Sequence, residues 1–139
     1  MSNAVSHSRR HRASAVLLPL AIAVVLAGCR GDESLTGNWT GAFKDSLGLA
    51  GGGHLTISQS GASLSGEWQV TFTADSAFND EGPLTGTAAG DTISATLMPT
   101  RGPCPFALTA TRTGDQIRGN YTAVNCRREQ TGTVDLQRR

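Results

Sequence analysis

The side chains with the most intrinsic reactivity are three cysteines, Cys29, Cys104 and Cys126, and they sit in unlike surroundings. Cys29 closes an apolar run, in "VVLAGCRGDE" (24–33), where the chain turns at once polar and charged. Cys104 and Cys126 lie far downstream in short polar stretches. His54 is the sole histidine beyond residue 28 and stands beside a glycine run without cysteine or histidine companions. The chain also lacks a Walker loop and a nucleophile elbow, so no catalytic residue, metal site or cofactor is expected. Asp75, Asp80 and Glu81 carry oxygen donors, but their spacing matches no cation-binding loop and reads as a soluble acidic turn. Arg101, Arg127 and Arg128 form a basic group that either marks a binding mouth or decorates a solvated rim. The residue chemistry therefore points to binding rather than turnover.

At 139 residues, with 38% hydrophobic and 17% charged residues, the chain suits one globular domain. Seventeen glycines and few aromatics favour short strands and tight turns over a helical bundle. Beyond Gly28 there are nine basic and eleven acidic residues, a net charge of −2. Nucleic-acid binding needs a basic field to gather phosphates, which this balance does not supply.

The basic start "SRRHR" followed by the apolar run Ala13 to Leu26, broken by Pro19, has the n-region and h-region of an export signal. It is shorter than the roughly 20 apolar residues that span a bilayer. The run ends in Leu26-Ala27-Gly28-Cys29, which resembles the lipobox of bacterial lipoproteins. The resemblance implies cleavage before Cys29, acylation of that cysteine and attachment to a membrane, since two or more acyl chains anchor stably. It divides the chain into a signal peptide (1–28), a lipidated tether (29–36) and a domain (37–139). Arg30 follows the cysteine in place of the aspartate that retains such lipoproteins in the inner membrane. The resemblance thus implies a cell-envelope location, in the outer membrane if the cell has two. Ser8-Arg9-Arg10 is a partial twin-arginine pattern, and the export route stays open. With Cys29 committed to lipid, Cys104 and Cys126 remain as a pair, and an oxidising compartment favours a disulfide between them.

Three segments align without gaps: "LTISQSGASLSGEW" (55–68), "LTGTAAGDTISATL" (84–97) and "LTATRTGDQIRGNY" (108–121). Apolar residues alternate with period two on both sides of a central glycine, the pattern of strand, turn, strand. Gly61-Ala62, Gly90-Asp91 and Gly114-Asp115 suit type II′ turns, whose first residue needs a positive φ. A two-residue loop then sets Leu55 opposite Trp68, Ile57 opposite Gly66, Leu84 opposite Leu97, Gly86 opposite Ala95, Leu108 opposite Tyr121 and Ala110 opposite Gly119. Every pair is apolar or small, as one buried face requires. "GNWTGAF" (37–43) and "TGTVDLQ" (131–137) supply a first and a last strand.

The expected fold is all-β: an eight-stranded antiparallel up-and-down meander closed into a small barrel, which hides its own edges. An open sheet or a sandwich is the alternative. Gly37-Asn38-Trp39, at the start of the first strand, resembles the Gly-x-Trp motif of the lipocalin and avidin barrels. That resemblance implies a plug at the closed end made of Trp39 and a covering arginine, for which Arg112, on the inward face, is the candidate. In that order the three tight turns and the termini share one end, and the long connections 44–53, 74–83, 98–105 and 125–130 share the other. Cys104 and Cys126 fall at the loop end, one residue out of strict register, so a bulge must absorb one residue.

Inside, Gly66, Gly86, Ala95, Ala110 and Gly119 form a layer of little volume that either admits neighbouring bulky side chains or leaves an apolar cavity. The candidate ligand-binding residues are Trp68, Phe72, Leu97, Phe106 and Tyr121, with Phe78 at the rim. The expected function is a lipid-anchored module that binds a small apolar ligand. A loop end that docks an envelope protein, and a filled structural barrel, are the alternatives.

Overall fold

The computed structural model describes residues 34–127 and 129–139. The expected signal peptide and lipobox, with Cys29, and Arg128 lie outside the described residues.

Eight strands follow in chain order: β1 (Gly37–Asp45), β2 (Ala50–Ser60), β3 (Ser63–Phe72), β4 (Asp80–Ala89), β5 (Thr92–Leu97), β6 (Phe106–Thr113), β7 (Gln116–Ala123) and β8 (Thr131–Arg138). Each pairs antiparallel with the next, and β8 pairs with β1, so the sheet closes into an up-and-down barrel. One turn of 3₁₀ helix, Ser76–Phe78, interrupts the β3–β4 connection.

The three tight turns determine the register. Gly61, Gly90 and Gly114 have φ of +58°, +57° and +58°. Among the described residues Asn125 is the only non-glycine with positive φ, so the second turn residues Ala62, Asp91 and Asp115 are negative, as type II′ geometry demands. All six expected pairs are present: Leu55 with Trp68, Ile57 with Gly66, Leu84 with Leu97, Gly86 with Ala95, Leu108 with Tyr121 and Ala110 with Gly119. The inward rows make one continuous apolar core that includes Leu55, Trp68, Leu84, Leu97, Leu108 and Leu136.

Two connections are shorter than expected. Gly51 to Gly53, read as loop, continue β2 opposite Phe43 to Gly41 and Phe72 to Val70. A side chain on Gly53 would run into the Phe43 ring, so the glycine run is a strand hollowed for an aromatic neighbour. β4 likewise begins at Asp80, inside the stretch 74–83 read as loop.

The small inner layer has a cause other than a cavity. A Cβ on Gly86 would meet Ser94 O, and one on Gly119 would meet Thr109 O, both backbone atoms of the paired strand. These glycines let adjacent strands coil tightly against each other, which curves the sheet toward closure.

At the closed end the domain boundary moves. Leu35, assigned to the tether, is 2% exposed and joins the core. Its N–H donates to Gln59 Oε1 at 2.7 Å, and its carbonyl accepts from Trp39 Nε1 at 2.9 Å. The chain thus folds across the barrel bottom from residue 34 onward. The arginine over Trp39 is Arg138, 4.4 Å from the ring centroid, and not Arg112. Arg138 continues the inward row of Val134 and Leu136, which puts it beneath the indole. Arg112 is inward but bends to the neighbouring turn, where its guanidinium pairs with Asp91 at 3.0 Å.

Candidate ligand-binding site

The open end of the barrel carries a cavity of about 620 Å³. Its walls are aromatic and aliphatic: Phe43 from β1, Trp68, Val70 and Phe72 from β3, Leu97 from β5, Phe106 from β6 and Tyr121 from β7. The volume falls within the range of roughly 300–1,000 Å³ typical of small-molecule sites. All five sequence candidates, Trp68, Phe72, Leu97, Phe106 and Tyr121, line it, and Phe78 stands at its rim, 44% exposed. The small layer of Gly66, Gly86, Ala95, Ala110 and Gly119 contributes nothing to the lining.

The walls are braced edge to face. The Phe106 ring meets Trp68 at 6.1 Å and Tyr121 at 5.7 Å, both near perpendicular, and Tyr121 also contacts Phe43 at 5.8 Å. Such pairs favour offset or T-shaped contact because ring edges are positive and faces negative. Trp68 Nε1 donates to the carbonyl of Met98 at 3.2 Å, tying the β3 wall to the loop that follows β5.

That loop is organised by one carboxylate. Asp80 accepts from the backbone N–H of Glu81, Thr100, Arg101 and Gly102 and from the hydroxyl of Thr100. Burial alone would raise its pKa, but the four backbone donors outweigh that and hold it below the ordinary value of 3.8. Asp75 caps the 3₁₀ turn through Ala77 N, and Glu81 accepts from Gln69 Nε2, so the three acidic residues serve separate local bonds. His54 lies apart from the cavity, its Nε2 3.1 Å from Thr56 Oγ1. Among the described residues no group of three histidine, cysteine or acidic side chains is placed to hold a metal ion.

Cys104 and Cys126 form a disulfide across the mouth, with Cα atoms 5.8 Å apart. Regular pairing of β6 and β7 continues to Val124 N and Pro105 O. Asn125 then takes φ +57° and absorbs the extra residue, which brings Cys126 opposite Cys104. Both cysteines line the cavity, as do Arg101 and Arg127.

Sequence reasoning missed Asp45. It ends β1 on the same inward row as Trp39 and Phe43 and is 7% exposed. Its Oδ1 accepts from Leu47 N and Leu49 N, while its Oδ2 is buried without a hydrogen-bond partner. Gly132 pairs with both Asp45 and Tyr121, and a side chain there would collide with the Tyr121 hydroxyl. The carboxylate and the phenol thus flank a gap left by glycine. Burial, and then the charge of Asp45, push the Tyr121 phenol up to about 12 from 10.0.

No family model and no curated protein matches this chain. Solved structures do. It is similar to a redesigned β-barrel, mFAP1, bound to DFHBI, at 24% identity and TM-score 0.63, over 78% of this chain and 99% of that one. It is also similar to EF1p2_mFAP2b bound to DFHBI, at 17% identity and TM-score 0.67 over 76% and 94%. A third likeness is to a de novo designed fluorescence-activating β-barrel, at 15% identity and TM-score 0.57 over 75% and 93%. At these identities the likeness concerns the fold: a small closed antiparallel β-barrel.

Proposed function

We propose that this chain is a binding module of the bacterial cell envelope that takes a small, mainly apolar molecule into the open end of its barrel. The aromatic cavity beneath the mouth carries this reading. The fold likeness to barrels solved with DFHBI supports it, since those proteins hold a small molecule in the same kind of body. The role is binding without catalysis: near the mouth Asp75 and Asp80 are engaged by local backbone N–H groups and Glu81 by Gln69. The lipobox motif supports attachment through acylated Cys29, with outer-membrane placement in a cell of two membranes. Four residues lie between Cys29 and Ser34, and the five residue-to-residue steps reach at most about 18 Å. Because Leu35 packs at the closed end, that tether would hold the closed end toward the bilayer and the mouth away from it.

The test is titration with N-phenyl-1-naphthylamine, a neutral apolar probe, reading Trp68 emission in a Trp39→Phe background. Saturable quenching is expected, and its weakening in Leu97→Phe, which intrudes on the cavity without adding a second indole. A flat titration overturns the reading. The anchor is tested by a clickable palmitate analogue, which should label the wild-type chain and not Cys29→Ala.

One observation favours protein docking as a second reading. Leu47, Phe78, Met98 and Val124, the exposed large hydrophobics among the described residues, fall one to each of the four open-end connections. A partner captured from envelope extract that is lost when all four are changed to serine, while probe binding stays intact, would establish docking instead.

A further inference from the structure

We propose that the ligand is an amphiphile with an anionic head, its apolar body in the aromatic cavity and its head between Arg101 and Arg127. This rests on the binding reading above and adds the charge and orientation of what is bound.

Three observations carry it. First, the charged side chains that line the cavity are Arg101, Arg127 and Asp80, two cations to one anion. Second, the cations and the anion are in opposite states. The Asp80 carboxylate is engaged by four backbone N–H groups and a hydroxyl, whereas neither guanidinium has a hydrogen-bond or ion-pair partner among the described residues. The other arginines with described side chains are engaged: Arg112 with Asp91, Arg118 with Asp135, Arg138 with Asp115 and Arg139 with Thr40. Third, the backbone that carries each of these arginines is tethered at the mouth. Arg101 N–H is held by Asp80 at 3.2 Å, and Arg127 follows directly on the Cys126 bridge. A guanidinium fork suits a planar carboxylate or a tetrahedral phosphate or sulfate, which share the chemistry of several acceptor oxygens around one negative charge.

Polarity within the barrel sets the direction of entry. Asp45 is buried on the β1 side beside Tyr121, and its charge already disfavours a second anion there. An anionic head therefore stays at the mouth, and the tail reaches inward past Phe106 and Trp68.

The experiment compares three ligands of equal chain length: decanoate, decyl phosphate and decanol, with decyltrimethylammonium as a fourth. Each displaces N-phenyl-1-naphthylamine from the full chain. In low salt the two anions should bind about three- to tenfold tighter than decanol, the yield of one or two partly exposed charge pairs. The gap should close in Arg101→Gln/Arg127→Gln and in high salt, with decanol binding unmoved. Decanoate favoured over decyl phosphate would indicate a carboxylate head, and the reverse a phosphate head; either supports the proposal. Equal binding of anions and decanol, preference for the ammonium, or a preference that survives the double substitution overturns it. Should the naphthylamine itself not bind, the binding reading fails, and this proposal falls with it.

Discussion

Removing Arg138 tests how the barrel is shut. Its guanidinium lies 4.4 Å from the Trp39 centroid, donates to Ser34 O at 2.8 Å and Thr36 O at 2.9 Å, and pairs with Asp115 at 3.0 Å. The cation–π contact contributes about 1 kcal/mol at a partly exposed site. The two bonds to backbone carbonyls add about 0.5–1 kcal/mol each. The ion pair adds about 0.5 kcal/mol at most, because Asp115 is 73% exposed. Arg138→Ala should therefore cost about 2–3 kcal/mol and, for a domain of this size, lower the melting midpoint by about 10–20 °C. Arg138→Lys, which keeps the charge without the two-pronged donor, should recover about half. The assay is equilibrium urea unfolding followed by circular dichroism with the disulfide intact, combined with a double-mutant cycle against Trp39→Phe. A coupling of about 0.5–2 kcal/mol is expected between the two sites. A loss below about 0.5 kcal/mol in Arg138→Ala, or full rescue by lysine, refutes the assignment of Arg138 as the latch.

Three further outcomes follow from the same geometry. Tyr121 is the only tyrosine, so its phenolate absorbance reports one group, and its midpoint should lie near 12 and fall toward 10.0 in Asp45→Asn without reaching it, because burial remains. A raised folded pKa favours the protonated native state, so this stabilisation is complete below about 10.0 and is lost as pH climbs toward 12; a wild-type midpoint at 10.0 would contradict the buried carboxylate beside it. Asp80 has the opposite sign: its depressed pKa stabilises the loop above 3.8, and that support is lost as pH falls through the lower folded value. Asp80→Asn at neutral pH should speed hydrogen exchange at Thr100 to Gly102 while the β6–β7 amides keep their protection, and uniform loosening would refute the local role. Gly119→Ala should cost about 1–3 kcal/mol in urea unfolding, since its new Cβ meets the Thr109 and Ala110 backbone and cannot be relieved by a rotamer change.

Legibility in the sequence followed the size of the inward side chain. Where the inner row is Leu, Ile, Trp or Tyr, period two is loud, and the three hairpins could be paired residue by residue. Where it is glycine the period is silent, so Gly51 to Gly53 read as loop although they pair with β1 and β3. Where it is charged the strand reads as ending early. Reading β1 only as far as Phe43 hid Asp45, and reading β8 only as far as Gln137 hid Arg138. Both lie two residues beyond an inward apolar residue, Phe43 and Leu136. Extending the alternation one step past the last apolar residue would have found both.

Those terminal inward positions are also where the two ends of the barrel diverge. A row of alternating side chains runs out at the rim, and there a charge escapes the full cost of burial in the apolar interior. At the closed end the charge is consumed: Arg138 covers an indole, holds two carbonyls and meets a carboxylate, and Leu35 seals what is left. At the open end the loop carboxylate is consumed by backbone, and the cations Arg101 and Arg127 are left facing an apolar space. Both arginines are exposed, and among the described residues their guanidinium groups take no part in holding the fold, so they stay available to a ligand. Charge engaged by the protein at one end, and left unengaged among the described residues at the other, separates the end that holds the fold together from the end that meets a ligand.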